Sequence, residues 1–516
     1  MTKLDIESIA IIGAGPGGIA SLYEFLHTNK DGTSTVGQAV STNPKFTKVV
    51  AFEQKDTAGG IWSAPPSFDK TDLAIPPQEI LDTEKYNDAS VIHPPAKVPE
   101  GLEGTSFEKP LELKENKLSS DLEWKASGIF PDLFSNIPSR YMRFSYIKNE
   151  PEYLDRSRTI YPFIHHQEQT GRFEKFIKDE KLYDNIRVNS TVERVTKTPN
   201  GKWIVTVRQK DPIHNKEYWY NEQFDGVVIS NGHYTLPNIP RIEGLSQFNK
   251  NFPGVLNHVK NYRNQHDYKD KKVLIVGGSI STINSLQYIV PVAKHVVNSK
   301  RGKHLVFPWI NDALVSKGID SRGTIERIDP VTGEFFFKEG ASEKGFDEVL
   351  FTTGYHFNYP FLDQNHEGVK VINPSNSSRV SGLYYNTFSI DDPTLATVGV
   401  TLSTLNFHTI ESSAASIAGV WSGSKTLPSK QEQQKWEEDH LHDTKNNISF
   451  HYYTHRQAKA GIIDPLFQYA PEGRYNPLEF DEPYLSDVET GIQSIERLFY
   501  GLKDGTIPKS KTLLQS

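Results

Sequence analysis

The chain has 516 residues, with 57 Lys and Arg against 64 Asp and Glu, a formal net charge of −7 and no cysteine. That length predicts two or more domains, and the acidic balance gives no electrostatic footprint for nucleic acid. The missing cysteines exclude a disulfide framework, a thiolate metal site, a Cys-x-x-Cys redox pair and a cysteine nucleophile. The N-terminus enters an apolar run by Ile9 without the ordered segments of a leader. No run of about 18 apolar residues stands anywhere, so a cytoplasmic protein without a membrane span is expected.

Residues 8–13 predict a buried parallel strand ending on glycine. The turn Gly13-Ala-Gly15-Pro16-Gly17-Gly18 follows, and Ile19, Leu22, Phe25 and Leu26 then recur at helical spacing. Gly13 permits a tight turn, Gly15 lets backbone approach a pyrophosphate, and Gly18 lets the helix pack closely on the sheet. Residues 28–45 are rich in Ser, Thr, Gly and Asn and predict a surface insertion. A second strand, residues 49–52, ends at Glu53, whose carboxylate suits a ribose hydroxyl. Glu53 lies farther on than the usual spacing of about 20 residues, and the insertion accounts for the excess. Gly59-Gly60-Ile61-Trp62 comes next; by itself it predicts a turn with a core tryptophan.

Residues 64–127 combine prolines and charges with weak periodicity and predict a long, partly irregular surface excursion, of a kind often functional. Beyond it stand Phe130-Pro-Asp-Leu133-Phe-Ser135-Asn136-Ile-Pro138 and an apolar strand ending at Asn231-Gly232-His233. A further segment reads Phe252-Pro-Gly254-Val-Leu-Asn-His258-Val-Lys-Asn-Tyr262. A second strand–turn–helix begins at Val273, with the turn Gly277-Gly278-Ser279-Ile280-Ser281-Thr282 ahead of Asn284. Ser279 and Thr282 occupy the second and third glycine positions. A serine hydroxyl can donate to phosphate, although its side chain narrows the approach of the backbone. Lys300-Arg301 follows the next strand, where a 2′-phosphate would sit, and favours NADPH over NADH. Another apolar strand ends at Phe351-Thr-Thr353-Gly354-Tyr355, and residues 424–516 read as a mixed helical and loop-rich tail.

In this order the motifs resemble those of the flavin-containing monooxygenases. The span from 252 to 262 carries the Phe-x-Gly-x3-His-x3-Tyr fingerprint, and the resemblance covers residues 6–428. The long inserts and the tail look like those of a fungal-type member.

The fold implied is α/β, with two Rossmann-like dinucleotide-binding domains. The FAD domain is discontinuous and interrupted by the NADPH domain, with boundaries expected at 1–232 for the first FAD segment, 233–354 for the NADPH domain and 355–516 for the second FAD segment plus a C-terminal tail. The resemblance assigns FAD to Gly13, Gly15, Pro16, Gly17, Gly18 and Glu53, and reads Gly60, Ile61 and Trp62 as the segment passing its pyrophosphate. NADPH falls to Gly277, Ser279, Ser281, Thr282, Lys300 and Arg301. Ser135 and Asn136 lie by the flavin, with Asn136 as the key catalytic side chain. An amide there offers donor and acceptor without a proton source that would release peroxide.

Thr353 and Gly354 are counted among the cofactor-binding residues and with Tyr355 read as linker and hinge rather than chemistry, and His258 as an organiser of the interdomain region rather than a proton carrier. The activity implied is NADPH- and O2-dependent oxygenation of an amine nitrogen or a thioether or thiol sulfur through a C4a-hydroperoxyflavin. Three alternatives stay open: an NADPH oxidase releasing H2O2, a Baeyer–Villiger enzyme, and a non-catalytic flavin protein. The Baeyer–Villiger fingerprint typically ends in Trp-Pro, where this chain has Tyr262-Arg263. No metal site is expected, and the oligomeric state is not legible.

Overall fold

The computed structural model describes residues 4–63, 75–116, 127–304, 307–362 and 378–514. Strand β1 (Ser8–Ile12), helix α1 (Pro16–Leu26) and strand β2 (Lys48–Phe52) form the first unit. β1 and β2 pair in parallel, Ser8 opposite Lys48 through Ile12 opposite Phe52. Both faces of these strands are apolar, so both must be covered. Ile9, Ile11, Val49 and Ala51 pack with α1 and with a long helix from the C-terminal half. Ala10, Ile12, Val50 and Phe52 pack against Val205, Val207, Tyr220 and Phe224 of a four-stranded antiparallel sheet.

The sheet built on β1 has seven strands. Gly226–Ile229 pairs in parallel with β1, and Leu395–Thr397 pairs in parallel with Gly226–Ile229. Between those two strands in sequence lies a second sheet of five, all parallel, centred on β3 (Lys272–Val276) and β4 (His295–Ser299). Helix α2 (Ile280–Ile289) joins β3 to β4. The architecture is therefore α/β with two Rossmann-like units, the first completed only after the chain has built the second.

The inserts and the tail connect the units. In the 64–127 excursion, residues 64–74 and 117–126 lie outside the described residues. What is described is more ordered than the composition predicts: Gln78–Leu81 and Ala89–Ile92 are helical, and Leu111–Lys114 adds an edge strand against Lys216–Phe224. Leu81 and Tyr86 are buried among core residues of the second unit, where the Tyr86 hydroxyl donates to the Ile242 carbonyl at 3.1 Å.

In the tail, helix α3 (Asn406–Trp421) packs on α1, with the rings of Phe25 and Trp421 stacked 6.0 Å apart. Helix α4 (Tyr484–Lys503) instead inserts Ile495, Leu498 and Phe499 beside Ile275, Ile283 and Leu286 of the second unit. The sequence reading made residues 355–516 the second segment of the first unit plus a C-terminal tail; within that tail, this last helix shares the core of the second unit. Among the described residues, no helix is long and apolar enough to cross a membrane.

Candidate active site

Each unit ends its first strand in a glycine turn, and the two turns are built alike. Gly13 has φ +96°, and its N–H donates to the Phe52 carbonyl at 2.8 Å. Gly277 has φ +149°, and its N–H donates to the Ser299 carbonyl at 2.9 Å. A Cβ on Gly18 would lie 1.9 Å from the Gly13 carbonyl oxygen, so α1 sits directly on the turn. Gly60 has φ +60°, and its Cβ would lie 2.7 Å from the Gly15 Cα. Two stretches of bare backbone thus meet, leaving an unobstructed floor at the N-terminus of α1. The Gly59 N–H, donating to the Ala14 carbonyl at 2.8 Å, ties them together.

Glu53 completes this cradle. It is buried, accepting from the Ala14 N–H at 2.9 Å through one oxygen and from the Lys55 N–H at 3.0 Å through the other. Burial pushes its carboxyl above the usual range. Glu53 also lines the cleft, and its carboxylate keeps acceptor capacity for a ribose hydroxyl.

The cleft is a single cavity of about 1970 Å³ that runs from the first glycine turn to the second. Every cofactor or catalytic residue singled out from the sequence lines it, except Gly18 and Thr282. Gly18 does its work beneath the turn. Thr282, expected at the cofactor, is instead buried, with its hydroxyl 2.8 Å from that of Thr352. Lys300 and Arg301 follow β4 and border the same cavity as Ser279.

Asn136 is exposed on the cleft wall and forms no side-chain hydrogen bond among the described residues. Its loop is held firmly. The Ser135 N–H donates to the Ile164 carbonyl at 2.8 Å, and the Ser135 hydroxyl donates to the Ile137 carbonyl at 2.7 Å. The Ser139 N–H donates to the Pro162 carbonyl at 2.8 Å. Ser135 is thus committed to the loop, while the adjoining amide is left to the cleft.

The two crossings between the sheets run side by side, with Pro237 and Tyr355 bridged and the Asn238 N–H donating to the Gly354 carbonyl at 3.0 Å. His258 is fully buried beside them. Its Nδ1 accepts from the Lys260 N–H at 3.1 Å, so Nε2 carries the proton and donates to the Gly354 carbonyl at 3.0 Å. Burial takes its pKa down to about 3, and it stays neutral as a fastener of the crossing.

Sequence reasoning missed several wall residues. Asn87, His93 and Ala96 come from the long excursion, and Lys445, Asn447 and Tyr452 from the tail. His304 also lies on the wall, and no motif announced it. The Asn231 side chain donates to the Asn358 carbonyl at 3.0 Å, and the Asn358 amide meets His93 Nδ1 at 2.9 Å, a polar line from the first crossing into the excursion. Among the described residues, His295, Asp320 and Glu343 form the one group with metal-ligand spacing. Lys272 and Arg322 already pair with Glu343 there, at 3.0 and 2.7 Å.

A model of the family described as flavin-binding monooxygenase-like matches residues 92–318 and 308–464. The chain belongs to this family. Among curated relatives, it is 27% identical to flavin-containing monooxygenase FMO GS-OX3 of Arabidopsis thaliana over 83% of this chain and 76% of that protein. It is 24% identical to flavin-containing monooxygenase ustF2 of Aspergillus flavus, over 84% and 86%. The fold matches S-allyl-L-cysteine S-oxygenase from Allium sativum at a TM-score of 0.64 and 22% identity, covering 98% of this chain and 99% of that one. Tmm from a Pelagibacter strain matches at 0.62 and 20%, covering 95% and 89%. As a flavin-binding monooxygenase-like protein, the chain is a flavin-dependent monooxygenase that uses FAD and NADPH. The cradle of Gly13, Gly15, Gly60 and Glu53 fits the first cofactor, and the turn at Gly277 with Lys300 and Arg301 fits the second.

Proposed function

We propose that this protein uses NADPH and O2 to oxygenate a soft nucleophilic nitrogen or sulfur of a small molecule, an amine, thioether or thiol. The carrying observation is the cavity lined by both glycine turns, with Asn136 exposed on its wall. The relatives support the nucleophile: one structural neighbour is an S-oxygenase by name. FAD, when bound, supplies the activation of oxygen; the chain supplies position, dryness and proton control.

Each residue's part follows from its surroundings. Gly15 and Gly60 hold backbone against the first pyrophosphate, and Glu53 accepts from the ribose. Asn136 offers an amide donor and acceptor to the reacting centre from a loop that cannot drift. His258, neutral at working pH, brings no mobile proton to that centre. The segment boundaries 1–232, 233–354 and 355–516 belong to the same proposal, with the crossings at Asn238 and Gly354 serving as the hinge.

The test is Asn136→Ala in the flavin-loaded protein, scored as oxygenated product per NADPH with a thioether and a tertiary amine as probes. Losing one pre-aimed amide should lower product formation by about 10²-fold while flavin content holds. NADPH consumption then ends chiefly in H2O2. Unchanged coupled oxygenation would remove Asn136 from the reaction.

A further inference from the structure

We propose that His304 is a positioning residue that turns the Ser279 hydroxyl onto the pyrophosphate of the nicotinamide cofactor, replacing the glycine missing from the second turn. This rests on the reading that the second unit holds that cofactor.

The substitution at 279 does more than add a side chain. In the first turn, Gly15 presents bare backbone. In the second, the Ser279 N–H is already taken, donating to Thr282 Oγ1 at 3.3 Å. The hydrogens then run one way: the Thr282 hydroxyl, 2.8 Å from Thr352 Oγ1, donates to it, and the Thr352 hydroxyl donates to the Val276 carbonyl at 3.0 Å. At the matching place in the first unit, Ser230 is bonded to the carbonyls of Ile12 and Gly13, and Gly18 has no side chain to join it. The third-glycine substitution therefore draws the backbone donor of residue 279 inward, away from any phosphate. A ligand at this turn needs a different donor from residue 279, and the hydroxyl is what remains.

His304 fixes where that hydroxyl points. Its Nδ1 accepts from the Phe307 N–H at 3.0 Å, so the neutral ring carries its proton on Nε2. Nε2 lies 3.1 Å from Ser279 Oγ and donates to it. With its oxygen accepting from the imidazole, the serine has its own hydrogen left for the cavity, which both residues line. The ring has little freedom. The His304 N–H donates to Asn311 Oδ1 at 2.8 Å, the Asn311 amide returns a bond to the His304 carbonyl at 3.0 Å, and the ring stacks on Phe307 at 5.6 Å. Partial burial lowers the His304 pKa, which preserves the neutral tautomer. Lys300, whose side chain lies against Gly278, supplies charge beside the same turn.

The experiment is a double-mutant cycle on flavin-loaded protein, read as equilibrium affinity for NADP+ by calorimetry, with no turnover needed. In the native background, His304→Ala should weaken NADP+ binding about tenfold, the worth of one well-aimed hydrogen bond to a charged group. His304→Gln, which keeps an N–H donor, should restore most of it. In a Ser279→Gly background, His304→Ala should change affinity less than twofold. Competition by 2′-AMP, which carries the 2′-phosphate but no pyrophosphate, should be unaffected throughout.

Equal losses in both backgrounds would make His304 merely a prop for its loop and overturn the proposal. Parallel weakening of 2′-AMP would reassign it to the 2′-phosphate, with the same consequence. If the native protein fails to bind NADP+ at all, the reading of the second unit falls first, and this inference with it.

Discussion

Gly60 shows how little room the first cofactor cradle leaves for change. Its φ of +60° disfavours any side chain, and a Cβ would lie 2.7 Å from the Gly15 Cα. Gly60→Ala must therefore push the 59–62 segment off the glycine turn, at a cost of about 1–3 kcal/mol. The expected outcome is purified protein with much of its flavin missing, read from the ratio of visible to ultraviolet absorbance. Full flavin content would show that the two backbones do not need to touch. The same contact explains why this site was readable in sequence. Gly13, Gly15, Gly18 and Gly60 answer to local main-chain constraints, and such constraints fix residue type and spacing together. Ser279 was legible as a departure, but its partner was not. His304 reaches it with its backbone held at both ends by the Asn311 side chain, and nothing in sequence spacing encodes that.

At the scale of elements, both strand–turn–helix units and the two crossings followed from apolar runs ending in glycine. The placement of α4 did not. Its apolar face is plain in the sequence, yet an apolar face does not name what covers it. The helix lies across the units: Gly491 meets the loop of Asn136, where an added Cβ would stand 2.7 Å from Pro138 Cγ, and Ile495 and Leu498 enter the second core. Arg140, in the turn that follows that loop, pairs with Asp481 and Asp487 at 2.8 and 2.7 Å. A tail element thus braces the loop that carries Asn136. Gly491→Val should lower stability by about 1–3 kcal/mol through overpacking, and should raise H2O2 released per NADPH while flavin stays bound. Thermal unfolding and a peroxide assay check the two halves separately. A variant that loses stability but keeps its coupling would show that α4 braces the fold and not the loop.

Across the whole molecule, a buried ionic contact ties the N-terminal helix to the tail. Arg474 sits between Glu24 of α1 and Glu411 of α3, both fully buried, and pairs with Glu24 at 2.8 Å. One guanidinium serves two carboxylates, and burial pushes Glu24 up from an ordinary 4.5 to about 7. A carboxyl raised in this way holds its proton more tightly folded than unfolded. Its contribution is complete below pH 4.5 and is lost as pH rises through about 7. The unfolding midpoint should fall between pH 5 and pH 8, and Glu24→Gln should flatten that slope. An unchanged slope would place the ionisation elsewhere.

The reaction proposed for the cavity between the sheets is transfer of one oxygen atom from O2 to a soft nucleophile. The direct measurement is turnover of flavin-loaded protein with NADPH and a thioether under ¹⁸O2, with the product weighed by mass spectrometry. The expected product is a sulfoxide carrying one ¹⁸O, formed with NADPH consumed in step and the second oxygen released as water. Unlabelled thioether recovered beside H2O2 equal to the NADPH consumed would contradict it.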